Sequence, residues 1–580
     1  MIDTKLFAEA MLERGDIGAL EEFQARFLAE RGHVLCEIPS VALQGVLLLM
    51  LAHQRRGNTV ATMSSLQIYP GADAYFATFA QLQGNAKGFA AQAGTVQADT
   101  ALLLWDNVHG EILWGFQRAW KAEVRIGKSL ETWSTATVSA LSQDILISAR
   151  NEGIRNGFPQ GGSPYPRQIA AIEMALRQQF CVVCGGPGTG KTTVVKMMVA
   201  AVCNAYKLPT DRVVVCAPTG RAKARLEESI HKDLPEGSPL QSVAGKTLHA
   251  LLRYRSDGEP VFHAGNSLPF DLVVVDEVSM VDSAMFADLA SALAPSARLI
   301  LVGDMNQLPS VESGAVLGDL TTARSEQLSG QLCELNENRR TKDPHIINWW
   351  NALPNSDGVA WTPVVTGDSL ETHLRSWIVL LKNSWAALRP SSHDSFESIS
   401  VARFKDLIEC GRILCCTNNG DQGREGFNRR CQQLFAPRHK FAQDYGDGEP
   451  LIVEQNQRVG EVSLYNGDLG VAWIEGNRQR GLFYSGGAIR VVDLSRVQGL
   501  SRAYAITVHK SQGSEFQKVI LILPIEDNRL VSKQLVYTAI TRAKNELVVH
   551  DPAGLLKVEL REEKRSTWLG RVGVSSSPLA

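Results

Sequence analysis

The sequence has no excess of positive charge. Its 59 Lys and Arg are offset by 61 Asp and Glu, a net charge of −2. That excludes a small, globally basic DNA-binding domain and leaves any nucleic-acid path to a local channel. Long hydrophobic runs are also missing. The longest early one, Val46 to Ala52, falls far short of the ~20 apolar residues that span a bilayer. The N-terminus, MIDTKLFAEAMLERGD, carries charges throughout and has no signal-peptide core. A cytoplasmic protein without membrane contact is expected. Ten cysteines are present, but not at ligand spacing. Cys181 and Cys184 lie three apart on a strand-like run and face opposite sides. Cys410, Cys415 and Cys416 lack partners at a useful distance in sequence. Buried, reduced thiols are expected. There is no internal repeat and no low-complexity segment. What remains is ordinary for a globular protein, 44% apolar and 21% charged, over 580 residues. That length is too great for one core.

One stretch organises the rest. Residues 185–192 read GGPGTGKT, the pattern of a phosphate-binding loop. Its glycines let backbone N–H groups turn inward around phosphate oxygens. Lys191 can reach the β- and γ-phosphates of ATP, and the Thr192 hydroxyl can hold Mg²⁺. Gly185, Gly186, Pro187, Gly188, Thr189, Gly190 and Thr193 complete the nucleotide cradle. An apolar strand, Phe180 to Cys184, precedes the loop. After it Val194, Val195, Met198, Val199 and Val202 recur at helical spacing. The helix N-terminus then points its partial positive charge at the nucleotide. Upstream, Gln168 at a helix start stands where a glutamine reads the adenine edge.

Further strands end in polar residues. Strand Arg212 to Cys216 runs into Thr219, Gly220, Arg221 and Lys223, at the carboxyl end where open α/β sheets bind ligands. Residues 247–249 read TLH, and Tyr254 to His263 is expected to form a hairpin turning at Asp257-Gly258. Strand Leu272 to Val275 delivers Asp276 and Glu277. Asp276 can hold Mg²⁺ through water, and Glu277 can orient or deprotonate the attacking water. Strand Leu299 to Val302 leads to Gln307, placed to sense the γ-phosphate. Strands alternating with helices predict a parallel sheet.

A second α/β region follows, with LNENRR at 335–340 and a strand at Arg412 to Cys416. Between about 446 and 500 the pattern shifts to short strands and turns, with Tyr465-Asn-Gly-Asp468 as a hairpin signal. ATP is therefore expected between two domains, with Arg340 and Arg542 as candidates for stabilising charge on the transferring phosphoryl group. The N-terminal part shows no catalytic set. It has a helical apolar face at Leu43, Val46, Leu47, Met50 and Leu51, and is rich in aromatics such as Trp105, Trp114, Phe116 and Trp120. Taken alone it reads as a small structural domain.

Taken in order, GGPGTGKT, APTGRAKARL, TLH, VVVDEVSMVD, LVGDMNQLPSV, TVHKSQGSEF and VYTAITRAK resemble the motifs of superfamily 1 DNA helicases, in the branch that moves 5′ to 3′. Within it, the chain is similar to the alpha-subunit family of exodeoxyribonuclease V, the RecBCD complex. That narrower likeness rests on His263-Ala-Gly-Asn266, residues 311–318 (VESGAVLG) and Leu464-Tyr-Asn-Gly-Asp468. Residues 113–123 weakly resemble the end of the family's docking domain. The strong resemblance covers about residues 160 to 550.

The resemblance implies an α/β fold with two RecA-like parallel-sheet motor domains, a small SH3-like β-barrel insertion and a mainly helical N-terminal domain. The expected bounds are 1–125 for the docking domain and 126–160 for a linker. The first motor spans 161–334, with a hairpin about 251–268. The second spans 335–570, with the barrel about 445–500, and 571–580 form a disordered tail. It implies that Gln168 contacts adenine and that Arg340 and Arg542 are arginine fingers. Arg339 stands where the family usually has an aromatic residue, so the first finger is one of Arg339 and Arg340. Thr219, Arg221, Thr247, His249, His509 and Ser511 fall where the family contacts the single strand, and Gly513 and Glu515 lie near the nucleotide ribose or the DNA side of the cleft. The implied activity is ATP- and Mg²⁺-dependent 5′-to-3′ DNA unwinding. It would operate in a heterotrimer with RecB and RecC, on single-stranded and duplex-end DNA, in recombinational repair of double-strand breaks. The nuclease site is expected on a partner.

Two other readings compete. A stand-alone helicase of the same branch would need an N-terminal helix-hairpin-helix module, whose Gly-rich hairpins do not occur in residues 1–125. A non-motor nucleotide switch need not carry the second-domain motifs, all of which are present.

Overall fold

The computed structural model describes residues 4–36, 38–84, 89–93, 101–108, 110–136, 138, 140–337, 346–347, 349, 353, 364–365, 367–389, 399–435, 445–475, 478–525, 531–557, 560, 562 and 564–571. Arg339 and Arg340, and the tail beyond Arg571, lie outside these residues.

The N-terminal domain packs helices α1 (Thr4–Glu13), α2 (Ala19–Cys36), α3 (Ser40–Arg55), α4 (Met63–Leu66) and α5 (Phe76–Gly84) against a three-stranded sheet. Its strands are β1 (Ala90–Gln92), β2 (Leu103–Val108) and β3 (Glu111–Phe116). The helical face predicted on α3 is the core: Leu43, Val46, Leu47 and Met50 are buried with Phe79 and Trp114. Trp114 meets the Phe79 ring edge-on at 5.1 Å.

Helix α6 (Gln117–Thr135) follows β3 without a break. Its buried face, Ala122, Ile126, Leu130 and Trp133, belongs to the core of the next domain, where Trp133 stacks on Phe180 at 4.7 Å. Helix α7 (Gln143–Gly157) lies tightly on a later helix: a Cβ at Gly153 would sit 2.6 Å from the Met197 carbonyl oxygen. The connecting region 126–160 is thus largely helical and packed onto the first α/β domain.

That domain contains α8 (Pro166–Arg177), β4 (Phe180–Gly185), α9 (Lys191–Tyr206), β5 (Val213–Ala217), α10 (Gly220–His231), β6 (Ala244–Thr247), α11 (Leu248–Leu252), β7 (Leu272–Val275), α12 (Ser283–Ala292), β8 (Arg298–Gly303), α13 (Val316–Thr321) and β9 (Leu332–Leu335). The six strands form a parallel sheet in the order β6-β5-β7-β8-β4-β9. The four inner strands β5, β7, β8 and β4 are buried along their whole length because both faces are covered. Val182, Val214, Val273 and Leu299 face one core, and Val183, Val215, Val274 and Ile300 the other. Cys184 and Cys181 divide the same way. All ten cysteines are free thiols, and burial pushes those of both Cys181 and Cys184 up to about 12. The excursion at 254–266 turns at Asp257-Gly258 as expected, but it pairs only at Tyr254↔Pro260 and His263↔Asn266. It is a turn-rich loop, not an extended hairpin.

The second α/β domain comprises β10 (Val364–Val365), α14 (Gly367–Leu388), α15 (Val401–Glu409), β11 (Arg412–Cys415) and α16 (Arg424–Phe435). After the insertion, whose strands are β12 to β18, come β19 (Ala505–Thr507), β20 (Phe516–Ile522), α17 (Lys533–Ile540) and β21 (Ala543–His550). Its parallel sheet runs β10-β21-β20-β11-β19. The insertion holds β12 (Pro450–Val453), β13 (Gln457–Val459), β14 (Val462–Leu464), β15 (Leu469–Glu475), β16 (Arg478–Ser485), β17 (Ala488–Asp493) and β18 (Leu500–Arg502). It is antiparallel, a sheet in the order β17-β16-β15-β12-β18 with a separate β13-β14 hairpin. Among the described residues no pairing joins the two edges β17 and β18, and the β13-β14 hairpin packs Val459, Val462 and Leu464 onto the core that Leu451, Val453 and Phe483 form. After β21 the chain crosses back to the first α/β domain and ends in the one-turn helix α18 (Trp568–Arg571).

Candidate active site

Strand β4 carries the phosphate loop to the carboxyl edge of the first sheet. Gly190 has φ +82°, a conformation open to glycine, and a Cβ there would lie 2.8 Å from Gln168 Nε2. Lys191 Nζ donates to the carbonyls of Gly185 at 2.6 Å and Gly186 at 2.9 Å. Thr189 Oγ1 donates to Gly186 at 2.9 Å. Gln168 is buried. Its Oε1 accepts from Tyr165 N at 3.1 Å, and its Nε2 donates to the Thr189 carbonyl at 3.2 Å. Gln168 as placed therefore braces the loop, using one N–H and one oxygen lone pair of its amide.

Beside the loop, β7 ends at Asp276 and Glu277. Glu277 adopts φ 55°, ψ 41°, a left-handed conformation that costs a non-glycine residue about 1–3 kcal/mol. The turn lets Glu277 N donate to Asp276 Oδ1 at 2.9 Å. Burial, and then the neighbouring Glu277 charge, raises the Asp276 carboxyl above the usual carboxylate range. Two acids crowded in a half-buried site favour a cation between them. Thr192 and Asp276 bring hydroxyl and carboxylate oxygens to one cavity wall, the donor chemistry that a hard divalent ion takes. The residues fit Mg²⁺.

Strand β8 supplies Asp304 and Gln307. Gln307 Nε2 donates to Asp304 Oδ2 at 3.0 Å, and so does Tyr537 OH from the second domain at 3.2 Å. The next residue is also tied across. Leu308 N donates to Thr538 Oγ1 at 2.8 Å, and its carbonyl accepts from Gln512 Nε2 at 3.3 Å. Gln307 thus sits on a segment shared by both sheets.

These groups line a cavity of about 350 Å³. From the first domain come Pro187, Gly188, Gly190, Lys191, Thr192, Thr193, Asp276, Glu277 and Gln307, and from the second come Gly513, Glu515 and Arg542. Arg542 is buried, and its Nε donates to the Thr538 carbonyl at 2.9 Å. One wall was not anticipated. Helix α10 contributes Ala222, Arg225, Leu226 and Ser229. Arg225 pairs with Glu515, and its Nη1 donates to the Gly513 carbonyl at 2.9 Å. The signal was its spacing: Arg221 and Arg225 are four apart on one helix, and Arg221 Nη1 likewise crosses over, to the Gly467 carbonyl of the insertion at 2.8 Å.

The expected strand-contacting residues divide. Thr219 and Thr247 cap α10 and α11, accepting from Ala222 N and Ala250 N at 3.2 Å each. The register Ala217↔Thr247 puts them at one carboxyl edge. His249 is exposed, 5.4 Å from the Tyr254 ring, and His509 is exposed after β19. Two others differ from expectation. Arg221 is half-buried against the insertion. Ser511 is buried, with its hydroxyl donated to the Val508 carbonyl at 2.6 Å. Neither lies on the exposed edge.

A cavity closed by two RecA-like sheets, with a phosphate loop on one side and an arginine on the other, is the architecture of an ATP-dependent DNA helicase. Two family matches bracket it, an AAA domain over residues 168–313 and a UvrD-like helicase C-terminal domain over residues 502–550. The chain is 34% identical to RecBCD enzyme subunit RecD of Mycolicibacterium smegmatis, over 73% of this chain and 78% of that protein. It is 30% identical to RecBCD enzyme subunit RecD of Haemophilus influenzae, over 79% of each. It belongs to this RecD family of RecBCD enzyme subunits. Among solved structures, Pif1 helicase from Bacteroides in complex with ADP-AlF3 and ssDNA aligns at 20% identity and TM-score 0.40, over 67% of this chain and 92% of that chain.

Proposed function

We propose that this chain is the 5′-to-3′ motor subunit of a helicase–nuclease, working on single strands and duplex ends together with RecB and RecC subunits. The observation that carries the reading is the cavity itself, since its walls come from both α/β domains and hydrolysis inside it can move one against the other. On this reading Lys191 and the loop N–H groups bind the β- and γ-phosphates of ATP. Thr192 and Asp276 would hold Mg²⁺, which when bound neutralises phosphate charge. Glu277 orients the attacking water and accepts its proton. Arg542 stabilises charge on the transferring group, with Arg340 as its implied companion. Gln307, through Asp304 and Leu308, passes the change to Tyr537 and Thr538. The single strand runs along the carboxyl edges marked by Thr219, Thr247, His249 and His509. Cleavage of DNA belongs to a partner.

Docking falls to the N-terminal domain. Trp105, Trp114, Phe116 and Trp120 are buried or half-buried in its own packing. The exposed apolar stripe is instead on α2, where Leu20, Phe23 and Phe27 are 65%, 53% and 42% accessible. Phe23 stacks on Phe27 at 6.1 Å, a rigid aromatic pair of the kind that anchors interfaces. No helix among the described residues is long and apolar enough to cross a membrane. The reading is tested by ATP hydrolysis of the purified chain with and without oligo(dT), and by co-purification with RecB and RecC. Strong stimulation and a stable trimer are expected. A folded chain that hydrolyses ATP equally with and without DNA would refute it.

A further inference from the structure

The end of the chain returns to the segment that carries Gln307. Arg565 spreads its guanidinium over one irregular loop: Nη1 donates to the carbonyls of Glu312 at 2.9 Å and Gly314 at 2.7 Å and to Ser310 Oγ at 3.2 Å, and Nη2 donates to the Ser310 carbonyl at 2.6 Å. The same loop touches the N-terminal domain, where Gly314 N donates to the Gly57 carbonyl at 2.8 Å. Gly57 closes the other side of Arg565. It has φ +83°, and a Cβ there would lie 2.2 Å from Arg565 Nε. Ser566 continues the contact, its carbonyl accepting from Thr59 N at 2.9 Å and Val60 N at 3.2 Å.

Residues 308–314 have no helix or strand of their own, so their position is set by what holds them. At one end Thr538 and Gln512 of the second domain grip Leu308, directly after Gln307. At the other, Arg565 and Gly57 grip residues 310–314. We infer that Arg565 is a positioning residue for ATP hydrolysis: by fixing loop 310–314 against the N-terminal domain it holds Gln307 in the cavity, and so wires the partner-docking domain to the ATP switch. A planar guanidinium is suited to this, since its fork satisfies several carbonyls in fixed geometry where an ammonium acts as a point charge.

The inference rests on the proposed DNA-stimulated hydrolysis, and the test separates the two. Full-length wild type, Arg565→Ala, Arg565→Lys and Gly57→Ala are compared for kcat and KM of ATP hydrolysis with saturating oligo(dT), per folded molecule, and for melting temperature. Gly57→Ala keeps the arginine but forces its guanidinium off the loop from the N-terminal side, and at φ +83° it also strains the backbone, so its kcat is read per folded molecule beside its melting temperature. Arg565→Ala and Gly57→Ala should each lower kcat about 5- to 10-fold, with KM moving less than about twofold and Arg565→Lys falling between. A wild type without DNA stimulation would sink the functional reading. With a stimulated wild type, variants that keep full kcat per folded molecule, even if they melt earlier, would overturn the role of Arg565. Should Arg565→Ala fail to fold, Gly57→Ala and Arg565→Lys decide by the same criterion.

Discussion

Arg225 and Glu515 form an ion pair across the cleft, one from α10 of the first motor domain and the other from the segment before β20 of the second. Both line the ATP cavity. The same two stretches begin at residues proposed to meet the single strand, with Thr219 capping α10 and His509 preceding Glu515. The pair therefore joins them at their nucleotide end. Lys544 Nζ, 3.4 Å from Glu515 Oε2, keeps the carboxylate partnered when Arg225 is changed. Arg225→Gln and Glu515→Gln should each lower DNA-stimulated kcat about tenfold, and the double variant should lose little more than the worse single one. Steady-state rates arranged as a double-mutant cycle measure this. Fully additive losses would mean that the two residues act separately.

Lys191→Gln removes the cation at the phosphate loop without touching the core. ATP hydrolysis should fall about 10²–10³-fold with an unchanged melting temperature. Glu277→Gln should hydrolyse ATP comparably slowly yet bind a fluorescent nucleotide normally, because Thr192 and Asp276 remain. Lost nucleotide affinity in Glu277→Gln would make Glu277 a metal ligand and reverse the assigned roles.

The phosphate loop and the acids were legible because glycine, lysine and paired carboxylates at strand ends have few other uses in that order. Arg225 was not singled out, because its four-residue spacing from Arg221 marks one helix face without saying whether that face meets solvent or a second domain. Arg565 offered no local signal at all. Its partners are about 250 residues away in sequence, and only the return of the chain after β21 brings them together. The aromatic count of the N-terminal domain was legible, but not its sidedness. Trp114 faces inward from a sheet, while Leu20, Phe23 and Phe27, spaced three and four apart, form an outward stripe that helical periodicity could have revealed. The turn at Tyr465–Asp468 was plain from Asn-Gly, but the expected hairpin is not there: β14 pairs with β13 and β15 with β12 and β16, because strand partners are set by the whole insertion and not by one turn.

A pH effect should arise where the three parts of the chain meet. Asp319 is buried, and burial, followed by the charge of Glu123, pushes its carboxyl up to about 7. Thr567 Oγ1 donates to it at 2.8 Å, and Arg324 is the cation that opposes the shift. A carboxyl raised in the folded state contributes stability that is full below its unfolded value near 3.8 and lost as pH rises through about 7. Asp319→Asn stays neutral at every pH. Its melting temperature should match wild type near pH 4, rise above it through pH 7 and keep a constant lead above pH 8, corresponding to at most about 4 kcal/mol. A constant difference across that range would show that Asp319 does not titrate there.

The most direct measurement of the central claim is strand separation by the purified full-length chain on two fluorescent duplexes, one with a 5′ single-stranded overhang and one with a 3′ overhang, with ATP and Mg²⁺ and with Lys191→Gln as the control. The account predicts unwinding of the 5′-overhang duplex only, dependent on ATP and absent in Lys191→Gln. Unwinding of the 3′-overhang duplex instead, or equal strand separation by Lys191→Gln, would contradict it.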